Sequence, residues 1–196
     1  MQPPTARPRS RRLEASARRR EIIEVSTRLI SERGYRGVSL DQIAEACGIT
    51  KQGLLHHFAS KPELLVAILE HRDEVDLAEA AEHLPVSQTR AGFRDEIREL
   101  SKRNIAQPGI VQLYAVLSSE ALDPGHPAHE YFRRRLAWSR GLLRQGASSW
   151  HPDPDGFAIE VLSFMDGLQL NWLRDPTIDF EAQATKFVDR ILAEYP

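Results

Sequence analysis

Apolar positions fall into helical stripes along most of the chain, with almost no strand signal. In "RREIIEVSTRLISERG", Ile22, Val25 and Leu29 stand at i, i+3 and i+7, Ile30 widens the stripe, and Gly34 follows as a stop. Ser39 precedes "LDQIAEACG" with Gln42 three residues on, a capping box that satisfies two otherwise unpaired N–H groups. Ile43, Ala44 and Cys47 form the inner face of that helix, and Gly48 ends it. Thr50 then caps "KQGLLHHF", in which Leu54 and Phe58 lie one turn apart on one face. Lys51, Gln52, Leu55 and His56 are left pointing the other way. Ser60 and Glu63 make a second capping box, with Pro62 in the first turn, where its missing N–H costs least.

Farther on the stripes lengthen and predict helices over 61–83, 87–105, 108–122, 127–149, 155–174 and 179–194. The separators "LPVS", "QPG", "DPGHP", "HPDPD" and "DPTID" each carry a proline. The expected fold is all-α, with short helices in the first third and longer ones behind. No repeat of 20 to 50 residues is visible, which argues against a solenoid.

Charge divides the chain in the same place. Residues 1–65 carry net +5 and residues 66–196 net −7, although the whole of 196 residues is only −2. A basic front suits a polyanion, or else solvates a disordered tail. One cysteine, Cys47, excludes an internal disulfide framework and fits a reducing cytoplasm. The apolar runs are far shorter than the roughly 20 residues of a membrane span, and "MQPPTARPRSRR" leads into no apolar signal core. The expectation is a soluble cytoplasmic protein with no membrane partner.

Two short helices joined across "CGIT" make a helix-turn-helix, because Gly48 permits the tight reversal and Ile49 plugs the space between them. The second helix of such a unit enters the major groove of DNA while the first braces it. Gln52 has the chemistry to bond adenine in bidentate fashion, and Lys51 and His56 to meet guanine acceptors or phosphates. A plain helical hairpin inside an all-α core has the same spacing.

The stretch "VSLDQIAEACGITKQGLLHHFASKPELL" closely resembles the DNA-binding domain of the tetracycline-repressor family of bacterial transcription regulators. Ile43, Ala44, Gly48, Leu54, His57, Phe58, Lys61 and Leu64 match that family's pattern, and the resemblance extends over residues 17–66. It implies a three-helix helix-turn-helix DNA-binding domain at residues 17–60, behind a basic disordered arm at 1–16. Residues 61–196 are implied to be a larger helical ligand-binding and dimerisation domain. Thr50, Lys51, Gln52, Leu55, His56 and Lys61, with Ser39 and Arg18, are the positions assigned to DNA, Lys51, Gln52, Leu55 and His56 reading the groove and Thr50 and Lys61 touching phosphate. His57 is read as a partly buried brace. Arg9, Arg11, Arg12, Arg18, Arg19 and Arg20 lead into the first helix and suit an adjacent minor groove, or a solvated tail.

Departures from the pattern matter too. Gln52 and Gly53 replace the usual Gly and Thr, and Leu55 replaces a Tyr whose hydroxyl reaches phosphate in the family. Either His56 or Thr50 takes up that contact, or Leu55 packs on a thymine methyl. Gly53 inside a short helix costs about 1 kcal/mol relative to Ala, which points to a close backbone approach.

For the rear part, the resemblance implies a small-molecule inducer site among the central helices, with Phe93, Tyr114, Leu117, Trp138, Leu142, Met165 and Trp172 as candidates. Aromatic residues at that spacing also serve as plain core. Independently, "FAIEVLSFMDGLQLNWL" is apolar around much of its circumference, which suits a homodimer interface. Ile159, Leu162, Gly167, Leu170, Phe187 and Ile191 are assigned to it. The alternative is a helix buried within one subunit.

His126 and His129 stand at metal-pair spacing without further ligands, so a turn and helix cap is the better account and neither metal nor cofactor is expected. Nucleophile, phosphate-loop, zinc-protease and dinucleotide motifs are missing, so the chain is not expected to be an enzyme. The expected function is a ligand-released repressor that binds a palindromic double-stranded DNA operator as a homodimer. An activator, or a small-molecule sequestering protein with vestigial DNA binding, remains the alternative.

Overall fold

The computed structural model describes residues 8–83 and 89–194, with side chains over 15–75 and 89–194. Among these residues the chain forms nine helices and no strand. They are α1 Pro8–Arg33, α2 Leu40–Ala46, α3 Lys51–His57, α4 Lys61–His83 and α5 Arg90–Ala106, then α6 Pro108–Glu120, α7 His129–Ala147, α8 Pro154–Arg174 and α9 Phe180–Ala193. Their order follows the apolar stripes, because caps and stops sit where the sequence places them. Thr89, Asp153 and Asp179 cap α5, α8 and α9 through side-chain oxygens that accept from Gly92, Gly156 and Ala182 N–H groups.

One expectation is corrected at the front. Residues 8–16, read as part of a disordered arm, continue α1, whose helix begins at Pro8. Proline is tolerated there because a first-turn residue has no carbonyl to bond. Residues 1–7 of that arm lie outside the described residues.

The apolar side chains gather in two clusters. The first joins Ile22, Ile30, Ile43, Leu54 and Phe58 of α1 to α3 with Leu64, Leu65, Ile68 and Leu69 of α4. The packing therefore does not part at residue 61, where the sequence suggested a domain boundary. The second joins Phe93 and Ile97 of α5 with Phe157, Val161 and Met165 of α8 and Phe180, Phe187 and Ile191 of α9. Helix α6 belongs to both, because Ile110, Leu113 and Leu117 face the first cluster and Val111 the second.

The seat of α6 on α1 is very close. A Cβ on Gly109 would stand 2.8 Å from the carbonyl oxygens of both Ile30 and Ser31. Only glycine lets the two backbones meet there, so a residue that reads as part of a "QPG" separator is a packing element inside α6.

Gly109→Ala forces the last turn of α1 and the first of α6 apart, and is expected to lower stability by about 1 to 3 kcal/mol in urea unfolding. Gly141→Ala is the control, since a methyl group at that position of α7 would meet nothing within 4 Å. That change is expected to be neutral or to raise stability by up to about 1 kcal/mol. Equal behaviour of the two would remove the α1 to α6 seat as a constraint.

Candidate nucleic-acid interface

The sequence builds the α2 to α3 unit from its caps inward. Ser39 Oγ accepts from Gln42 N–H at 3.3 Å, and Gln42 Oε1 accepts from Ser39 N–H at 2.8 Å, so both halves of the capping box form. Gly48 takes φ +64°, in the left-handed region, and its N–H bonds Glu45 O while Ile49 N–H bonds Ala44 O. These bonds close α2 and turn the chain. Thr50 Oγ1 then accepts from Gly53 N–H at 3.0 Å and opens α3.

Leu54 and Phe58 are wholly buried beneath α3 with Ile43 and Ala44 of α2, a burial that contributes about 2 to 3 kcal/mol for each large side chain. The helix cannot rotate without exposing them. Lys51, Gln52, Leu55 and His56 are accordingly brought together on the exposed face of α3, as the apolar spacing predicted. They offer an ammonium, a carboxamide, an apolar methyl pair and an imidazole to a groove.

Several assigned residues already have partners. Lys51 Nζ pairs with Asp41 Oδ2 of α2 at 2.9 Å, an exposed pair that water screens and a polyanion can replace. The oxygens of Ser39 and Thr50 serve as caps, and Arg18 pairs with Glu21 at 2.8 Å. Arg19 is not a free arm residue: its guanidinium lies 4.6 Å over the ring of Phe58 and fastens α1 to the end of α3. His57 is partly buried, and burial, followed by the charges of His56, Arg18 and Arg19, lowers its pKa.

Lys61 is a correction. Its ammonium turns inward, donating to Val38 O at 2.7 Å and Tyr35 O at 3.0 Å and lying 4.9 Å over the Tyr35 ring. Burial lowers its pKa. The carbonyls between α1 and α2 need a donor, and Lys61 supplies it, so the expected phosphate contact is replaced by a brace.

The inducer candidates are not gathered into one cavity. Tyr114 and Leu117 lie in the first cluster, and Phe93, Met165 and Trp172 in the second. Leu142 is half-buried and Trp138 is 40% exposed on α7. Two open grooves, of about 560 and 410 Å³, run along α5 and α9 and between α6 and the end of α8, and none of the seven residues lines either. Helical spacing placed these side chains on apolar stripes without saying which core each stripe meets, or that Trp138 meets none.

Of the dimer candidates, Phe187 and Ile191 are corrections as well. Both are buried, and Phe187 stacks on Phe164 at 3.8 Å between ring centroids. Helix α9 spends its apolar face on α5 and α8 of its own subunit, leaving Gln183, Lys186, Asp189 and Arg190 outside. On α8, by contrast, Ile159 and Leu170 are 44% and 39% exposed, Leu162 and Gly167 lie half-buried, and a methyl on Gly167 would meet nothing within 4 Å.

Sequence reasoning missed a polar cluster in the middle of the fold. Asp73 of α4 accepts the hydroxyls of Tyr114 and Tyr131 at 2.7 and 2.6 Å, with Arg135 Nε at 3.3 Å. The i, i+4 spacing of Tyr131 and Arg135 on α7 was visible, but not the partner 58 residues earlier. His126 and His129 are engaged with backbone groups, the former accepting from Ala128 N–H and the latter 2.8 Å from Ala121 O.

Comparison with known proteins agrees with this geometry. Residues 22–68 match the family model described as bacterial regulatory proteins, tetR family. The chain is 26% identical to the HTH-type transcriptional regulator TtgR of Pseudomonas putida over 90% of both chains. It is 29% identical to the HTH-type transcriptional repressor KstR2 of Rhodococcus jostii, over 58% of this chain and 47% of that one. Its fold is similar to that of a TetR transcription regulator from Haloarcula marismortui, with a TM-score of 0.75, 17% identity, and 92% and 98% of the two chains covered.

The Lys51 and Lys61 assignments separate in one experiment. Lys51→Ala is expected to reduce the slope of log binding constant against log salt by about 1 on any DNA duplex. Lys61→Met is expected to leave that slope unchanged and to cost about 1 to 3 kcal/mol in denaturant unfolding. A reduced slope for Lys61→Met would restore it to the interface.

Proposed function

The chain belongs to the tetR family of bacterial regulatory proteins, and we propose from this that it is a cytoplasmic repressor that binds a palindromic operator as a homodimer. The observation that carries the reading is the exposed α3 face of Lys51, Gln52, Leu55 and His56, held outward by the buried Leu54 and Phe58. Helix α2 braces it, and Lys51 exchanges Asp41 for a phosphate or a guanine edge on binding. Repression is favoured by the relative named a repressor.

The homodimer is supported by the outward apolar stripe of α8. Ile159, Leu162 and Leu170 recur at one-face spacing, and Gly167 has open space before it. A second copy of α8 covers these side chains without disturbing the core. The two recognition helices then reach successive major grooves about 34 to 36 Å apart. A small molecule that binds better to a subunit arrangement with another spacing releases the operator.

Selection of binding sites from a random DNA pool, followed by footprinting, tests the reading. An inverted repeat is expected. Gln52→Ala should cost about 1 to 3 kcal/mol at one base pair in each half-site and leave random DNA unaffected. Equal losses on selected and random DNA would take Gln52 out of base reading. Gly167→Arg is expected to sediment as a folded monomer, and a persistent dimer would move the interface away from α8.

A further inference from the structure

Helix α4 enters the first cluster through Leu64, Leu65, Ile68 and Leu69, and Lys61 pins its first turn to the carbonyls of Tyr35 and Val38. The recognition unit therefore moves with the front half of α4. Farther along, α4 is held by side chains reaching from α6 and α7. Tyr114 donates to Asp73 Oδ1 at 2.7 Å, and Tyr131 donates to Oδ2 at 2.6 Å. Arg135 Nε approaches the same carboxylate at 3.3 Å, with its guanidinium 4.6 Å over the Tyr114 ring. Phe132 packs edge-on against both tyrosines.

The clasp is largely removed from water, since the Asp73 side chain is only 19% exposed. Burial raises the pKa of both tyrosines, so each remains a donor. A carboxylate that receives two hydroxyls and a guanidinium makes charge-assisted bonds, stronger than neutral ones and directional. It fixes α4 in angle as well as in position. Twelve residues of helix between Asp73 and Lys61 make a lever of about 18 Å, so a tilt of about 5° at the clasp displaces the start of α4 by roughly 1.5 Å.

We propose that Asp73, Tyr114, Tyr131 and Arg135 are positioning residues for DNA recognition, setting the angle of α4 and with it the separation of the two recognition helices. The proposal rests on the dimeric-regulator reading above. A clasp that holds the angle concentrates the dimer on one half-site spacing; a loosened clasp spreads it over several. It weakens binding at the preferred spacing and lessens the penalty for the wrong one.

The test uses the full-length dimer and three duplexes: the selected inverted repeat, the same repeat with one base pair added between half-sites, and a random sequence. Tyr131→Phe keeps the ring and removes the hydroxyl; Tyr114→Phe is the second variant, and Asp73→Asn joined to Tyr131→Phe gives a double-mutant cycle. Each single variant is expected to bind the selected repeat about 3-fold to 30-fold more weakly, with random DNA unchanged and the penalty for the added base pair reduced. The two substitutions of the cycle should be markedly less than additive.

A lower melting temperature with unchanged DNA binding would make the cluster a fold staple only and overturn the proposal. Equal weakening on all three duplexes would overturn it as well. Failure of the wild-type protein to prefer an inverted repeat would instead bring down the dimeric-regulator reading and the proposal with it.

Discussion

The contact of α6 with the end of α1 joins the two apolar cores of this protein. Gly109 puts the backbone of α6 within van der Waals reach of the Ile30 and Ser31 carbonyls, closer than any side chain would allow. From that seat α6 sends Ile110, Leu113 and Leu117 into the front core and Val111 into the rear. Its far end meets the front again, where Glu120 accepts from the Tyr35 hydroxyl at 3.4 Å. Tyr35 in turn covers the ammonium of Lys61 at the start of α4. Helix α6 is therefore tied to the α2 to α3 unit in two places, through the last turn of α1 and through the turn that Lys61 braces. Closely packed contacts of this kind transmit strain better than they absorb it.

Local chemistry was legible in the sequence and long-range chemistry was not. The Ser39–Gln42 capping box, the Thr50 cap, the turn at Gly48 and the apolar pair Leu54 and Phe58 all act within a few residues, so the outward face of α3 could be read directly. Lys61 matched a family pattern too, yet its role depends on two carbonyls 23 and 26 residues earlier that spacing does not reveal. The Asp73 clasp is the same case over longer separations, with three helices contributing one or two groups each. A carboxylate on a helix reads as a solvated surface group until its partners are placed.

Apolar periodicity names a face without naming what covers it. Helix α8 was recognised as apolar around much of its circumference, and the structure divides that circumference into two uses. Phe157, Val161, Met165 and Trp172 enter the core, while Ile159 and Leu170 face outward. Helix α9 shows the opposite outcome, because its single apolar stripe is consumed inside the subunit and Phe187 finds Phe164 rather than a second chain. The inducer candidates scattered for the same reason. Tyr114 and Met165 both lie on inward stripes, but of different clusters.

Gly53 points beyond the folded chain. Glycine within α3 costs about 1 kcal/mol relative to alanine, so its presence needs a compensating reason. Internal packing does not supply one. A methyl there would lie 3.4 Å from Thr50 Oγ1 and 3.8 Å from Ile49 Cβ, ordinary contacts that any helix accommodates. Nor does backbone conformation, since the only positive-φ glycines among the described residues are Gly34 and Gly48. This separates Gly53 from Gly109, whose methyl would strike backbone, and from Gly48, whose φ favours glycine. Gly53 lies one residue from Gln52 and two from Leu55, at the edge of the face that α3 turns outward. Leu55, on that same face, brings an apolar side chain and no hydroxyl. With no Cβ at this position, the α3 backbone lies bare at the edge of the face that the helix turns outward.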